Sequence, residues 1–119
     1  MRFIFISKNN FNSRKYWEKR YLRGDTSGVG SYGRLAQFKA NIINSFVKKN
    51  RIKTVIEFGC GDGNQIKLLD LPNYIGLDVS RKSINICKLM FKKDRTKSFL
   101  LYSPASKIIK GVHTISITR

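Results

Sequence analysis

The stretch TVIEFGCGDG, Thr54 to Gly63, predicts a β-strand that ends in an acidic residue and runs into a glycine-rich turn. A second apolar run, YIGLD from Tyr74 to Asp78, also ends in a carboxylate. Because the carboxyl ends of parallel strands meet at one edge of a sheet, we expect both strand ends to border one cleft. Glycines admit a ligand close to the backbone and a carboxylate accepts hydrogen bonds from ribose hydroxyls, so the pattern predicts a nucleoside-cofactor site.

Strand and helix patterns alternate along most of the chain. This alternation predicts an α/β fold that is Rossmann-like, with a mostly parallel sheet, flanking helices and right-handed crossovers. The predicted elements are a helix at 11–22, a glycine loop at 25–33, an amphipathic helix from Leu35, a strand at 54–58, a helix at about 64–69, a strand at 74–78, a helix capped by Ser80 that runs to Lys93, and a strand at 98–102. The apolar face of the amphipathic helix is predicted to comprise Leu35, Phe38, Ile42, Ile43, Phe46 and Val47.

Composition limits the size and setting of the protein. The 119 residues, 41% of them hydrophobic, are enough for one domain with one core. The formal net charge of +17 makes nucleic acid a candidate partner on charge alone. Cys60 and Cys87 lack C-x-x-C spacing and there is one His, so we expect neither a zinc site nor a disulfide framework, and a reducing cytoplasm fits best. The apolar run from Phe3 to Ile6 is too short for a signal peptide or a membrane span, and no membrane partner is expected.

The glycine-rich turn departs from two common phosphate-binding motifs. The fingerprint G-x-G-x-x-G would need glycine at position 64, which is Asn, and the Gly-Lys-Ser/Thr of a P-loop is missing. The motif present is E-x-G-x-G-x-G across Glu57, Gly59, Gly61 and Gly63, which resembles the first motif of class I S-adenosylmethionine-dependent methyltransferases. The resemblance extends to YWEKRY at 16–21, SGVGS at 27–31, FKA at 38–40 and YIGLD at 74–78.

This resemblance implies S-adenosylmethionine as the cofactor and methyl transfer to an unknown acceptor as the function. In the family, the turn lies against the methionine part of the cofactor and the strand-end acid reaches its amino group. Glu57, Gly59, Gly61 and Gly63 match those positions, and Asp78 matches the acid that binds the ribose hydroxyls. The sulfonium makes the methyl carbon electrophilic, so the protein has mainly to align an acceptor and exclude water. No metal is implied, and the catalytic residues are unknown.

The resemblance covers residues 14–102 and divides the chain into an extension at 1–13, a partial methyltransferase-like domain and a divergent tail at 103–119. Class I methyltransferases continue to further strands, so we expect an incomplete, truncated domain that is weakly active or inactive alone. In the strand order 3-2-1-4-5, the first strand would be an exposed edge without a fourth. We therefore expect Thr114–Ile117, a partner chain or self-association to cover strand 54–58.

Two alternatives remain open: a basic nucleic-acid-binding module on the same fold, and a non-catalytic remnant. Several neighbouring residues also have structural interpretations. Asp62 is expected to cap a helix, the two cysteines to fill space in the core, and Trp17 to pack on the domain even though its aromatic and basic neighbours suit base stacking. The glycine loop either approaches a ligand or is a plain surface loop, and Tyr32 and Arg34 after it are candidates to cover the cofactor.

Overall fold

The computed structural model describes residues 12–103 and, for the backbone alone, a strand at 114–118. The elements are α1 (Ser13–Leu22), α2 (Gly33–Lys49), β1 (Thr54–Phe58), β2 (Tyr74–Asp78), α3 (Arg81–Met90), β3 (Lys97–Leu101) and β4 (Thr114–Thr118), with short 3-10 turns at Val29–Ser31 and Ile66–Leu68. The predicted extension at 1–13 and tail at 103–119 lie largely outside the described residues. The proposed division into domains therefore stays a prediction.

The described strands form one parallel sheet in the order β3-β2-β1-β4. Val55 pairs with Tyr74, and Asp78 pairs with Leu101. All carboxyl ends therefore lie along one edge, as the alternation of strands and helices predicts. The predicted parallel α/β architecture is confirmed.

The carboxyl-terminal segment covers the edge of β1. β4 runs parallel to β1, with Thr54 paired to Thr114 and Phe58 paired to Thr118. The expected pairing of Thr114–Ile117 is therefore confirmed and extends by one residue. Since β2 and β4 flank β1 on its two sides, neither a partner chain nor self-association is needed to cover this edge.

The helix predicted from Leu35 is present as α2, but its core face is only partly the predicted one. The side that packs on the core consists of Ala36, Ala40, Ile43 and Val47. Four residues of the predicted face are instead between 50% and 63% exposed: Leu35, Phe38, Ile42 and Phe46. The two alanines have small side chains, so they allow the helix to approach its neighbours closely where the larger apolar residues would not fit.

The helix predicted at Asn64–Leu69 is shorter and tighter in the structure, where only the 3-10 turn Ile66–Leu68 forms. Few residues separate the glycine-rich turn from Pro72, and nucleating an α-helix in so short a segment is unfavourable. A side chain of α2 stabilises the shorter structure. The Asn44 amide donates to the Leu68 carbonyl at 3.0 Å and accepts the Asp70 N–H at 2.8 Å.

The helix α3 begins as predicted but ends earlier. The Ser80 hydroxyl accepts the Ser83 N–H at 3.2 Å, which confirms the predicted cap. The helix ends at Met90 and not at Lys93. Phe91 leaves the helical conformation, and its ring stacks on Phe99 of β3 with the centroids 5.6 Å apart.

The core lies between the sheet and the helices α2 and α3. Its members are Ala40, Val47, Val55, Cys60, Ile66, Leu69, Leu71, Tyr74, Ile84, Cys87 and Phe99. Gly76 of β2 lies directly beneath the Phe99 ring. A Cβ atom on Gly76 would stand 2.8 Å from Phe99 Cδ1 and 3.0 Å from Cys60 Cβ. Only glycine leaves room for the aromatic ring at this point of the sheet.

Candidate functional site

The glycine turn, residues 59–63, is built from backbone conformations that favour glycine. Gly59, Gly61 and Gly63 have φ angles of 82°, 64° and 83°, in the left-handed region where a Cβ atom is strained. The N–H groups of Gly59 and Cys60 donate to the Leu77 carbonyl at 2.6 and 3.0 Å. The turn is thereby fastened to the end of β2.

Asp78 lies directly against the glycine turn. Its Oδ2 accepts the Gly61 N–H at 2.9 Å, and its Oδ1 accepts the Ser80 N–H at 2.9 Å. The residue is 6% exposed. A carboxylate has about four acceptor sites and these two bonds use one on each oxygen, so capacity remains for ligand hydroxyls. The structure thus brings Asp78 and the turn together, as the two strand ends predict.

The glycines of the turn have different surroundings. Among the described residues, no atom would lie within 4 Å of a Cβ atom on Gly59. A Cβ atom on Gly63 would lie 3.1–3.2 Å from Phe91, Cys87 and Met90, so Gly63 allows α3 to pack on the turn. Gly59 therefore faces open space, whereas Gly63 faces the core.

Glu57 is engaged inside the core. Its Oε2 accepts the Tyr74 hydroxyl at 2.5 Å, and the residue is buried. Burial and the neighbouring Glu57 carboxyl raise the pKa of Tyr74, which keeps the phenol protonated as a donor. Contact between Glu57 and a cofactor amino group stays a prediction.

We expect Tyr74→Phe to lower the free energy of unfolding by about 1–3 kcal/mol, because it removes a hydrogen bond from a buried carboxyl group. Denaturant unfolding followed by circular dichroism measures the change. Tyr102→Phe is the matched control, since Tyr102 is partly exposed and packs edge-on against Phe58 at 5.6 Å; its effect should stay below about 0.5 kcal/mol. Wild-type stability of Tyr74→Phe would contradict a structural role for the bond.

Both cysteines are free and buried in the core. The Cys87 thiol donates to the Gly61 carbonyl at 3.2 Å. A hydrogen bond with Cys87, together with burial, raises the pKa of the Cys60 thiol. Because the thiolate is the nucleophilic form, Cys60 is suited to packing and not to reaction. This agrees with the prediction that the cysteines fill space.

Asp62 does more than the predicted helix cap. It accepts the Asn64 N–H at 3.1 Å, but no α-helix follows. Its oxygens also accept the N–H and hydroxyl of Ser27 at 3.0 and 2.9 Å, and the Tyr32 hydroxyl at 2.6 Å. Burial raises the pKa of the Asp62 carboxyl, but these hydrogen bonds outweigh burial and leave the pKa below its ordinary value. We call the three bonds from Ser27 and Tyr32 the Asp62 clasp.

The glycine loop, residues 25–33, therefore lies against the glycine turn. A further bond supports this position, from the Asn64 side-chain amide to the Ser31 carbonyl at 2.6 Å. Of the two residues predicted to cover the cofactor, Tyr32 reaches the turn through its hydroxyl, whereas Arg34 is exposed on the first turn of α2. Whether either contacts a cofactor stays a prediction.

A second carboxylate, Glu18 of α1, binds the start of α3. Its Oε2 accepts the Ser80 hydroxyl at 2.6 Å and the Lys82 N–H at 3.2 Å. Burial raises the pKa of Glu18, but these hydrogen bonds, one from the Arg81 N–H and the nearby Arg14 together lower it. Since the Ser80 N–H donates to Asp78, Glu18 helps to fix the segment that carries the predicted ribose ligand. Sequence analysis missed Glu18, because a contact over 62 residues leaves no local signal.

The ring contacts of Trp17 are with residues of its own helix, so its predicted packing onto the domain stays a prediction. Its ring stacks on the buried Tyr21 with the centroids 5.9 Å apart, and the Arg20 guanidinium lies 5.7 Å from the Trp17 ring. In residues 12–103, no group of three or more His, Cys, Asp or Glu side chains is arranged to hold a metal ion. No helix in the described part of the chain is long and apolar enough to cross a membrane.

Comparison with known proteins shows which fold contains this site. No protein-family model and no curated protein sequence matches the chain. Among solved structures, a SAM-dependent methyltransferase from Anabaena variabilis is 21% identical, with a TM-score of 0.56 over 87% of this chain and 44% of its own. A Podospora anserina methyltransferase with SAH bound is 12% identical, with a TM-score of 0.52 over 82% of this chain and 44% of its own.

The chain has the class I methyltransferase fold. An S-adenosylmethionine-dependent methyltransferase from Clostridium acetobutylicum supports the same assignment, at 15% identity and a TM-score of 0.50 over 86% of this chain and 40% of its own. The chain spans less than half the length of each of these structures. Within the class I methyltransferase fold, the glycine turn and Asp78 occupy the carboxyl edge of β1 and β2.

Proposed function

We propose that this chain binds S-adenosylmethionine at the carboxyl edge of β1 and β2 and takes part in methyl transfer to an acceptor that is not yet known. The main support is the hydrogen bond from the Gly61 N–H to Asp78 Oδ2 at 2.9 Å, which joins the two predicted halves of the site. The fold agrees with this proposal, because the chain resembles solved methyltransferases, one of them with SAH bound.

Each residue of the site has a distinct part in this proposal. Asp78 accepts hydrogen bonds from the ribose hydroxyls, using the acceptor sites that Gly61 and Ser80 leave free. The backbone at Gly59 and Gly61 lies along the methionine part, where Gly59 borders open space, and Gly63 lets α3 support the turn. Glu57, whose Oε2 accepts the Tyr74 hydroxyl, binds the amino group. The cofactor supplies an electrophilic methyl group, so the protein's task is to bind, orient and exclude water.

The acceptor and the catalytic residues stay unassigned in this proposal. Because the chain spans less than half the length of the similar structures, we expect weak or no turnover from it alone. We also place the protein in a reducing cytoplasm, since Cys60 and Cys87 are both free.

Calorimetric titration with S-adenosylhomocysteine tests cofactor binding. We expect micromolar or weaker binding, which corresponds to a binding free energy of about −8 kcal/mol or a smaller magnitude. The affinity should change little between about 50 and 500 mM salt, because the main contacts are short and partly buried. The absence of binding to folded protein at about 1 mM ligand would refute the proposal.

A basic nucleic-acid-binding module is the second candidate, and the surface of α1 favours it. Arg14, Lys15 and Lys19 are exposed, and Tyr16 is 44% exposed between them. Basic residues around an exposed ring suit single-stranded nucleic acid. Oligonucleotide affinity that falls steeply with salt and survives Asp78→Ala would favour this alternative.

A further inference from the structure

We propose that Asp62 is a positioning residue for ligand binding, because it holds the glycine loop closed against the glycine turn that borders the cofactor cleft. The ligand part of this inference rests on the proposed function. The closure of the loop does not, since it follows from the hydrogen bonds of the Asp62 clasp. Hydrogen exchange of the loop and affinity for the ligand are therefore measured separately.

Asp62 is adjacent in sequence to the residue that meets Asp78. Gly61 donates its N–H to Asp78, and the next residue accepts three hydrogen bonds from the glycine loop. The loop is thus bound one residue away from the backbone that we propose to contact the cofactor. A displacement of Asp62 would move the loop and the ligand-facing turn together.

The glycine loop has little apolar packing of its own to hold it in place. Gly28 and Gly33 have φ angles of 108° and 58°, and a Cβ atom on either would meet no atom of residues 12–103 within 4 Å. Val29, the apolar residue between them, is 81% exposed. Segments with few buried apolar contacts open at low free-energy cost. Hydrogen bonds such as those of the Asp62 clasp therefore contribute much of the free energy that keeps the loop closed.

A carboxylate at position 62 also has the number of acceptor sites that these hydrogen bonds need. With Asn64 included, it accepts four hydrogen bonds, which matches the number of acceptor sites of a carboxylate. An asparagine has the same shape, but one acceptor oxygen becomes an NH2 group, which cannot accept the N–H of Ser27 or Asn64 and reverses the direction of one hydroxyl bond. Asp62→Asn therefore weakens the clasp without creating a cavity.

Hydrogen exchange and calorimetry on Asp62→Asn test the inference. In the ligand-free variant, the N–H groups of Ser27, Ser31 and Tyr32 should exchange about ten times faster or more, while that of Val55 in β1 stays near the wild-type rate. The Kd for S-adenosylhomocysteine should rise about tenfold or more, since part of the binding energy would then go into closing the loop. Asp94→Asn is the matched control, because Asp94 bonds Thr96 and Lys97 in the α3–β3 turn, and it should change neither quantity.

The outcomes separate this inference from the proposed function. Unchanged loop exchange in Asp62→Asn would overturn the inference whatever the ligand does, and faster exchange with unchanged affinity would overturn the positioning role. If wild-type protein binds no S-adenosylhomocysteine, the proposed function fails, and the ligand part of the inference fails with it. Hydrogen exchange then still tests whether the Asp62 clasp holds the loop closed. Should Asp62→Asn not fold, the double variant Ser27→Ala/Tyr32→Phe removes two of the three clasp bonds with Asp62 in place and is judged by the same two measurements.

Discussion

Replacing Asp78 with asparagine is expected to weaken the binding of S-adenosylhomocysteine by about 100-fold. Hydrogen bonds from ribose hydroxyls to a charged acceptor contribute about 1.5–3 kcal/mol each, and the amide keeps only one good acceptor oxygen. A loss near 3 kcal/mol corresponds to that factor. Calorimetric titration of wild type and variant under the same buffer conditions measures it.

Asp78 also has structural bonds, so its variant needs a check on folding. The carboxylate accepts the N–H groups of Gly61 and Ser80, and asparagine can keep only part of this pattern. Circular dichroism must therefore show a folded variant at the titration temperature, and Asp94→Asn serves again as the carboxylate control. An Asp78→Asn protein that is folded and binds as wild type does would remove Asp78 from the site.

Among the substitutions proposed here, Gly76→Ala should cause the largest loss of stability. The added Cβ atom would stand 2.8 Å from Phe99 Cδ1 and 3.0 Å from Cys60 Cβ, closer than packed carbon atoms allow. Overpacking of a core costs about 1–3 kcal/mol or more. We expect the midpoint of thermal unfolding to fall by roughly 5–15 °C.

Gly30→Ala provides the comparison for this substitution. In the described part of the chain, a Cβ atom on Gly30 would meet only the Lys39 Nζ atom, at 3.6 Å, and its backbone is outside the left-handed region. We expect a change within about 0.5 kcal/mol. If both variants melt at the wild-type temperature, Phe99 does not pack on Gly76 in solution as it does in this structure.

The parts of the fold that could be predicted carry local or topological signals. The strands β1 and β2 show as short apolar runs, and each ends in a carboxylate beside turn residues. Strand order predicted that the edge of β1 must be covered, and the pairing with β4 is one of the three expected ways, beside a partner chain and self-association. Asp78 and the glycine turn could be placed together, since strand ends in a parallel sheet share one edge.

The remaining features depend on packing or on distant contacts. Hydrophobic periodicity assigned Leu35 and Phe38 to the core, but the small Ala36 and Ala40 form the close contact. The short turn at 66–68 is stabilised by Asn44, which lies on another element. Asp62 resembled an ordinary cap because its partners Ser27 and Tyr32 stand 35 and 30 residues earlier. Sequence patterns report neighbours along the chain and do not report such pairs.

The Asp62 clasp and the bonds of Glu18 have a consequence for synthesis on the ribosome. The segment that contains Glu18, Ser27 and Tyr32 is made before its partners: Asp62 follows Ser27 by 35 residues and Tyr32 by 30, and Ser80 follows Glu18 by 62. Translation proceeds at about 5–20 residues per second, so the early segment waits for seconds without these partners. The bonds of Asp62 and Ser80 can therefore form only seconds after the residues that they hold have been made.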